Sequence, residues 1–147
     1  MDVTLREITM ESFFECIKLD VAEDQKGFVA SNVFSLAEAK ADSVSNPLAI
    51  YAGDQMVGFI MYDFDPKEDR GYISRLMVDA RFQGNGYGRA AIGQVIDRLK
   101  EIPECREIQT SFAPANSVAE RLYAGFGFER TGEVVDGEIV VRMKLSA

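Results

Sequence analysis

The sequence contains no histidine among its 147 residues, and this absence removes several kinds of chemistry. Triads and dyads that use a histidine base are excluded, as are histidine-rich zinc sites and the side chain that most often transfers protons near neutral pH. Any proton transfer must therefore use a carboxylate, a tyrosine, a lysine, a terminal amine or water.

Cysteine is also scarce, since the chain has only Cys16 and Cys105. Each lies within an apolar pattern, which is typical of a reduced core thiol in the cytoplasm rather than of a disulfide or a metal pair. No apolar run is long enough to cross a membrane, and the charged first 25 residues do not fit a signal peptide. The sequence predicts a cytoplasmic protein without a metal site.

Positive charge is limited too, because the chain has only 16 Lys and Arg residues but 24 Asp and Glu residues, which gives a net charge of −8. The whole excess lies in residues 1–70, which hold 14 acids and 6 bases, whereas residues 71–147 hold 10 of each. An acidic chain is a poor partner for nucleic acid or an anionic membrane. The acidic half suits a cationic small molecule such as an amine, although most single carboxylates simply solvate a surface.

The length of the chain, residues 1–147, is that of one domain. Apolar periodicity and turn signals predict the order β-α-α-β-β-β-α-β-α-β-β, a mixed α/β or α+β sheet. Two-residue hairpin turns are expected at Gly53-Asp54 and Asp136-Gly137, and a capping box of Ser35 and Glu38 is expected to begin the second helix. The predicted strands are 3–8, 48–52, 56–62, 72–78, 108–112, 128–135 and 138–145, with helices at 11–19, at 35–44, from the glycine loop to Pro103, and from Asn116 to Tyr123.

Three glycines at alternate positions, Gly84, Gly86 and Gly88, stand between the strand 72–78 and the following helix. Glycine loops at a helix N-terminus are typical of phosphate sites, because free amides and the positive end of the helix dipole meet there. A Walker A loop does not fit, since Gly88 is followed by Arg89-Ala90 instead of Lys-Ser or Lys-Thr. A dinucleotide fingerprint fits formally, but that motif usually opens the first βα unit of a larger domain.

The segment Gln83-x-x-Gly86-x-Gly88 resembles the pyrophosphate-binding motif of the GCN5-related N-acetyltransferase (GNAT) superfamily. The strand end 76–79 and the later pattern Asn116-x-x-Ala119-x-x-Leu122-Tyr123-x-x-x-Gly127-Phe128 resemble the same family, as does the terminal hairpin. The resemblance implies a central, mostly antiparallel mixed sheet of about seven strands with four helices, and two strands that splay apart at the cofactor.

The resemblance also implies acetyl-CoA as cosubstrate, with no metal. Strand backbone would hold the pantetheine arm, and the amides of residues 84–89 would form a nest for the pyrophosphate. A side chain at Gly86 or Gly88 is expected to clash with the diphosphate or the loop backbone. The residues implied to bind the cofactor are Leu76, Met77, Val78, Gln83, Gly84, Asn85, Gly86, Tyr87, Gly88, Arg89, Asn116, Ala119 and Tyr123.

Tyr123 is the candidate catalytic residue. When an amine attacks a thioester, the departing thiolate needs a proton or a strong hydrogen bond, and the family's tyrosine at this position supplies it. Asn116 is expected to cap a helix, and the resemblance adds a contact with the cofactor.

The general base is less easily assigned. The polyamine-acetylating branch of the family has an acidic residue on the strand before the loop, and Ser74 stands at that position here. A water chain or a carboxylate of Asp20, Glu23 or Asp24 is left as the base, and these residues together with Ser74 are the predicted amine-binding residues.

Segments 25–32, 35–39, 47–51 and 57–62 resemble bacterial spermine/spermidine (diamine) acetyltransferases. The sequence therefore predicts an enzyme that acetylates a primary amine, most specifically a polyamine, in a ternary complex. Other acceptors stay open, namely a protein N-terminus, a lysine, an aminoglycoside or an amino acid. A non-catalytic acyl-CoA-binding module and a small nucleotide-binding domain are alternatives of other classes, and a homodimer is left open.

Overall fold

The structure is a computed structural model that describes residues 2–145. Within them the chain forms seven strands and four α-helices in the predicted order, which confirms the expected fold class. The elements are β1 (Val3–Glu7), α1 (Phe13–Lys18), α2 (Asn32–Ala41), β2 (Ser45–Ala52), β3 (Gln55–Asp65), β4 (Arg70–Val78), α3 (Tyr87–Lys100), β5 (Glu107–Phe112), α4 (Ser117–Gly125), β6 (Glu129–Val135) and β7 (Glu138–Lys144).

All seven strands belong to one sheet in the order β1-β2-β3-β4-β5-β7-β6. Neighbouring strands run antiparallel except β4 and β5, which are parallel. The two predicted hairpin turns are confirmed, because β2 meets β3 across Gly53-Asp54 and β6 meets β7 across Asp136-Gly137. Asp136 and Gly137 both have positive φ, of 50° and 80°, as a tight two-residue hairpin requires.

Helices α3 and α4 cover one face of the sheet. Helix α3 carries apolar side chains at helical spacing, and these pack on residues of β1 to β5 in one buried cluster. Its fully or almost fully buried members are Ala91, Ile92, Val95, Ile96 and Leu99. Because this helix is clamped onto the sheet, the glycine loop at its N-terminus is fixed beside the end of β4.

Helices α1 and α2 pack on the opposite face. A second buried cluster joins Cys16 and Leu19 to Phe59, Met61 and Met77 of the sheet. Strand β3 is buried from Met56 to Met61 because it is covered on both sides, which explains its unbroken apolar run. Both cysteines are free, and Cys16 lies in this cluster whereas Cys105 lies in the other.

The parallel pair β4 and β5 separates halfway along its length. The strands pair from Arg70 with Glu107 to Ile73 with Thr110, and the remainder of β4 has no partner on that side. A bulge lies at the same place, because Ile73 pairs with Tyr62 and Arg75 with Met61, which leaves Ser74 as the extra residue. The predicted splay of two strands is therefore present, and it opens a cleft between β4 and β5.

Three predicted boundaries are wrong. Helix α2 begins at Asn32, because the Ser31 hydroxyl accepts the Phe34 amide at 3.1 Å, whereas Ser35 is buried inside the helix. The expected capping box does not form, since the Glu38 carboxylate instead pairs with Arg75 at 3.2 Å.

The other two differences concern element lengths. Helix α1 starts only at Phe13, because the Thr9 amide donates to the Ser12 side chain at 3.0 Å in a turn that precedes the helix. Strands β3 and β4 continue to the pair Asp65 and Arg70, so the predicted loop 63–70 shrinks to four residues. None of the helices in residues 2–145 has the length and apolar character needed to cross a bilayer.

Candidate active site

The opening between β4 and β5 forms a cleft with a volume of about 610 Å³. Its walls come from the second half of β4, the end of β5, the glycine loop, the first turns of α3 and α4, and the segment before α2. Of the residues predicted from the sequence, the cleft brings together Ser74, Leu76, Met77, Val78, Gln83, Gly84, Gly86, Tyr87, Gly88, Arg89, Asn116, Ala119 and Tyr123.

The glycine loop has the backbone geometry of an anion-binding turn at two of its three glycines. Gly84 and Gly86 have φ of 83° and 82°, values that side chains other than glycine rarely adopt. Gly88 lies inside α3, and a Cβ there would contact Val78 at an ordinary 3.6 Å. A Gly88 side chain therefore meets no loop backbone, and its expected clash with the diphosphate stays a prediction.

The first amides of α3 have no acceptor within the helix. The first helical hydrogen bond runs from the Ala90 amide to the Gly86 carbonyl at 3.1 Å. The amides of Tyr87, Gly88 and Arg89 therefore lack an intrahelical partner, at the positive end of the helix dipole. Such an arrangement binds an anion without any basic side chain.

Two side chains hold the loop in shape. Gln83 donates its amide to the Val78 carbonyl at 2.9 Å and to the Gln25 side chain at 2.7 Å. Asn85 donates to the Phe82 carbonyl at 2.9 Å and does not line the cleft, unlike the other predicted loop residues. Asn85 therefore stabilises the loop through its hydrogen bond to Phe82.

The basic residues of the cleft are held by other contacts. The Arg89 guanidinium lies over the Phe126 ring, 5.4 Å from its centre, and so joins α3 to the end of α4. Arg75 pairs with Glu38 of α2 and donates to the Ser74 carbonyl at 2.8 Å. Of these two arginines, Arg89 is the one closer in sequence to the glycine loop, since it directly follows Gly88.

Tyr123 lines the cleft and packs between two aromatic side chains. Its ring stacks on Phe112 at 6.4 Å and meets the edge of Phe128 at 5.5 Å. Only 5% of the residue is exposed, and burial raises the pKa of its hydroxyl to about 12, opposed in part by the Thr110 hydroxyl. The group is therefore protonated across the physiological range and is suited to donate a proton.

Asn116 caps α4, as its sequence position predicted. Its side-chain oxygen accepts the Ala119 amide at 3.2 Å, and both residues line the cleft. The cap satisfies a free amide of α4 and sets the direction of the helix that carries Tyr123.

Ser74 lies at the bulge of β4, where the strands separate. Its hydroxyl donates to the Met61 carbonyl at 3.2 Å and so helps to hold the bulge closed against β3. A serine hydroxyl bound in this way has no carboxylate chemistry to offer as a proton acceptor.

The predicted acidic residues Asp20, Glu23 and Asp24 do not line the cleft. Asp20 lies beside a smaller neighbouring hollow, and both its carboxylate and that of Glu23 pair with Lys26, at 3.3 and 2.9 Å. These three residues form no wall of the cleft, and their expected contact with the amine stays a prediction.

Three polar residues beside the cleft were not predicted from the sequence, and two of them, Ser111 and Glu138, line it. The Tyr72 hydroxyl lies 2.8 Å from Ser111 Oγ, which donates to Glu138 Oε1 at 2.7 Å. They come from β4, β5 and β7, and only the register of three strands brings them together. Strands β5 and β7 carry other polar residues as well, so the sequence held no signal that singled out Ser111 or Glu138.

Within residues 2–145, no group of three or more histidine, cysteine, aspartate or glutamate side chains is arranged to hold a metal ion.

A family model described as the acetyltransferase (GNAT) family matches residues 4–128. The spermine/spermidine N(1)-acetyltransferase of Bacillus subtilis is 31% identical over 99% of this chain and 100% of its own length. N-alpha-acetyltransferase 30 of Saccharomyces cerevisiae is 34% identical over 50% of this chain and 43% of that protein. The predicted enzyme class, an N-acetyltransferase, is confirmed.

Solved structures agree on the fold. The spermidine N-acetyltransferase of Vibrio cholerae, solved with CoA and spermine, superposes with a TM-score of 0.76 at 18% identity, covering 98% of this chain and 95% of that one. The PaiA N-acetyltransferase of Thermoplasma acidophilum, solved with coenzyme A, superposes with a TM-score of 0.72 at 15% identity, covering 99% and 100%. The match of the family model to residues 4–128 shows that the chain belongs to the GNAT acetyltransferase family.

Proposed function

We propose that this protein transfers the acetyl group of acetyl-CoA to a primary amine of a polyamine, by direct attack in a ternary complex. The observation that carries the proposal is the cleft itself, which joins an anion-binding turn at one end to a protonated, buried tyrosine at the other. The proposed reaction needs both a phosphate site and a proton donor, and the two line the same cleft.

The glycine loop suits the pyrophosphate of the cosubstrate. The free amides at the start of α3 and the left-handed backbone at Gly84 and Gly86 form a cradle for an anion. The unpaired edge of β4 from Leu76 to Val78 offers backbone groups to the pantetheine amides. Acetyl-CoA supplies the activated thioester, and the proteins of V. cholerae and T. acidophilum with this fold were solved with CoA.

Tyr123 is proposed as the proton donor to the departing thiolate. Because burial raises the pKa of its hydroxyl to about 12, the proton is present at neutral pH and can be donated to the thiolate as the carbon–sulfur bond breaks. The stacked ring of Phe112 and the edge contact with Phe128 fix the direction of the hydroxyl, which lowers the entropy lost on reaching the transition state.

The proposed acceptor is a polyamine such as spermidine or spermine. The support is the B. subtilis spermine/spermidine N(1)-acetyltransferase, which matches over its whole length, together with the net charge of −8. Long-range attraction between an acidic protein and a polycation raises the rate of encounter. We also propose a cytoplasmic location, which suits two buried free cysteines, and a homodimer stays a prediction.

The test is a set of three measurements on the purified chain. Calorimetry with CoA should give a dissociation constant in the micromolar range, and thiol release from acetyl-CoA should depend on added spermidine. Mass spectrometry should find one acetyl group on the polyamine. Binding of CoA without thiol release on any amine would support a non-catalytic module, whereas preferential binding of ATP or NAD would overturn the cofactor assignment.

A further inference from the structure

Three hydroxyl and carboxyl groups form a directed chain at the vertex of the cleft. Ser111 has a single hydroxyl proton and donates it to Glu138 Oε1 at 2.7 Å. The Tyr72 hydroxyl, 2.8 Å from Ser111 Oγ, must therefore be the donor in that pair. Burial raises the pKa of Tyr72, so this hydroxyl keeps its proton and the chain points from Tyr72 through Ser111 to Glu138.

The chain ends where the strands separate. Thr110 is the last residue of β5 that pairs with β4, and Ser111 follows it directly. Ser111, Glu138 and Tyr123 all line the cleft, and the negative charge of Glu138 contributes to the raised pKa of Tyr123. The carboxylate and the proposed proton donor therefore belong to the same cleft.

Glu138 is the only carboxylate among the described residues that line the cleft. Its Oε1 accepts the Ser111 proton, while Oε2 has no hydrogen bond or ion pair with the residues 2–145. The side chain is thus held at one oxygen and free at the other, which is the arrangement that a proton acceptor needs. Ser74, at the expected position on β4, is itself a donor to Met61.

We propose that Glu138 is the catalytic proton acceptor for the incoming amine, positioned by Ser111 and Tyr72. This inference rests on the proposed function and names the base for the same cleft. An ammonium group of pKa near 10 is almost wholly protonated at pH 7 and cannot attack a carbonyl carbon in that form. Deprotonation by a carboxylate beside the thioester generates the nucleophile where it is used.

The step balances as follows. The Glu138 carboxylate takes one proton from the ammonium group, and the neutral nitrogen forms a bond to the thioester carbon. The carbon–sulfur bond then breaks, the thiolate takes the proton of Tyr123, and the Tyr123 oxyanion takes the second proton of the attacking nitrogen. Glu138 finally releases its proton to water, so the net products are an amide, a thiol and one proton.

The first test is Glu138→Gln, with Glu133→Gln as the matched control. Glutamine keeps an oxygen for the Ser111 proton but cannot take up a proton, whereas Glu133 is an exposed carboxylate on the adjoining strand β6. At pH 7 and saturating acceptor we expect kcat to fall about 100-fold or more in Glu138→Gln, the usual contribution of general base catalysis. The control should keep its kcat within twofold.

A pH series separates a base from a simple counter-ion. The unprotonated fraction of an alkylamine rises about 100-fold from pH 7 to pH 9, so the deficit of Glu138→Gln should shrink at least tenfold over that range. The raised pKa values of Tyr72 and Tyr123, which face Glu138 from β4 and α4, keep both phenols protonated at pH 9. A higher KM with kcat unchanged at pH 7 would overturn the proposal, because Glu138 would then only bind the cation.

A second pair of variants tests the positioning role. Ser111→Ala should lower kcat about tenfold with little change in the affinity for CoA, and Ser111→Thr, which keeps the hydroxyl, should restore most of it. The failure of this inference is distinct from the failure of the proposed function. If the unaltered protein acetylates no amine, the function is wrong; if it does so and Glu138→Gln keeps full kcat at pH 7, only the base assignment is wrong.

Discussion

The side-chain amide of Gln83 donates to the side-chain oxygen of Gln25 at 2.7 Å, so the glycine loop and the N-terminal segment are hydrogen-bonded on the wall of the cleft. A second link lies nearby, because the Asp79 carboxylate accepts the Asp20 amide at 3.0 Å. The segment between these links supplies Val21 to the cleft, and Phe28 and Val29 follow it. The wall opposite β4 is therefore positioned by the same loop that is proposed to hold the pyrophosphate.

The first prediction concerns this link. Gln25→Ala removes the acceptor of one Gln83 hydrogen bond but leaves the other, to the Val78 carbonyl. A single hydrogen bond contributes about 1 kcal/mol, so we expect KM for the amine to rise about fivefold, with the dissociation constant of CoA unchanged. Steady-state kinetics and calorimetry measure the two quantities. Gln55→Ala, at an exposed position in β3, is the control, and equal effects in both variants would contradict the prediction.

The second prediction concerns the left-handed glycines. Gly86→Glu and Gly132→Glu both place a side chain at a φ above 80°, and each should cost about 1–2 kcal/mol of stability. Only the first also brings a negative charge to the proposed anion site. We expect CoA binding, measured by calorimetry, to be lost in Gly86→Glu and kept in Gly132→Glu. Normal CoA affinity in the Gly86 variant would remove the loop from the site.

The third prediction concerns Tyr123. Tyr123→Phe keeps the aromatic packing and removes the proton donor, so kcat should fall about 100-fold or more while the affinity for CoA stays the same. Because the pKa of the Tyr123 hydroxyl is raised to about 12, deprotonation of this group should cause no loss of wild-type kcat between pH 7 and pH 10. Rapid thiol-release measurements test both statements under conditions in which chemistry limits the rate.

Tyr62→Phe provides a matched control, since Tyr62 packs against the core and does not line the cleft. Its kcat should equal that of the unaltered protein. If Tyr123→Phe shows the same full turnover, the proton for the thiolate has another source.

The fourth prediction concerns stability and pH at Asp63. Burial and the neighbouring carboxylates Asp42 and Asp65 raise the pKa of Asp63 from 3.8 to about 6 in the folded state. Between these values the unfolded chain loses its proton more readily than the folded chain, so ionisation of Asp63 lowers the free energy of unfolding as pH rises through the window. The full loss of stability that the Asp63 charge causes is present above about pH 6 and absent below pH 3.8.

Asp63→Asn should therefore raise the free energy of unfolding by about 1–2 kcal/mol at pH 7.5 and by much less at pH 4. Urea unfolding at the two pH values measures the difference. The exposed Asp97 on α3 is the control, and Asp97→Asn should show no comparable pH-dependent gain. An equal gain for Asp63→Asn at both pH values would mean that its charge is not the cause.

Local patterns in the sequence were sufficient for the parts of the site that lie close together along the chain. The loop from Gln83 to Gly88 and the helix from Asn116 to Tyr123 are each defined by spacing within one short segment, and both line the cleft as expected. The hairpins at Gly53 and Asp136 were predictable for the same reason, because two-residue turns depend on the residues in the turn itself.

The remaining parts of the site and of the fold depend on contacts between residues that are distant in the sequence. Tyr72, Ser111 and Glu138 meet only because β4, β5 and β7 are adjacent in a particular register, which no local pattern encodes. The capping box at Ser35 was wrong because Glu38 finds a partner 37 residues away, in Arg75. Asp20 and Glu23 were expected near the amine because of their charge; both pair with Lys26, and their contact with an amine stays a prediction.

The most direct test of the account is the rate of thiol release from acetyl-CoA with spermidine, compared with the same assay using an aminoglycoside, a peptide with a free N-terminus and a diamino acid. We expect the highest kcat/KM for the polyamine and a product carrying one acetyl group. Acetylation of another acceptor, without acetylation of spermidine or spermine, would contradict the proposed function.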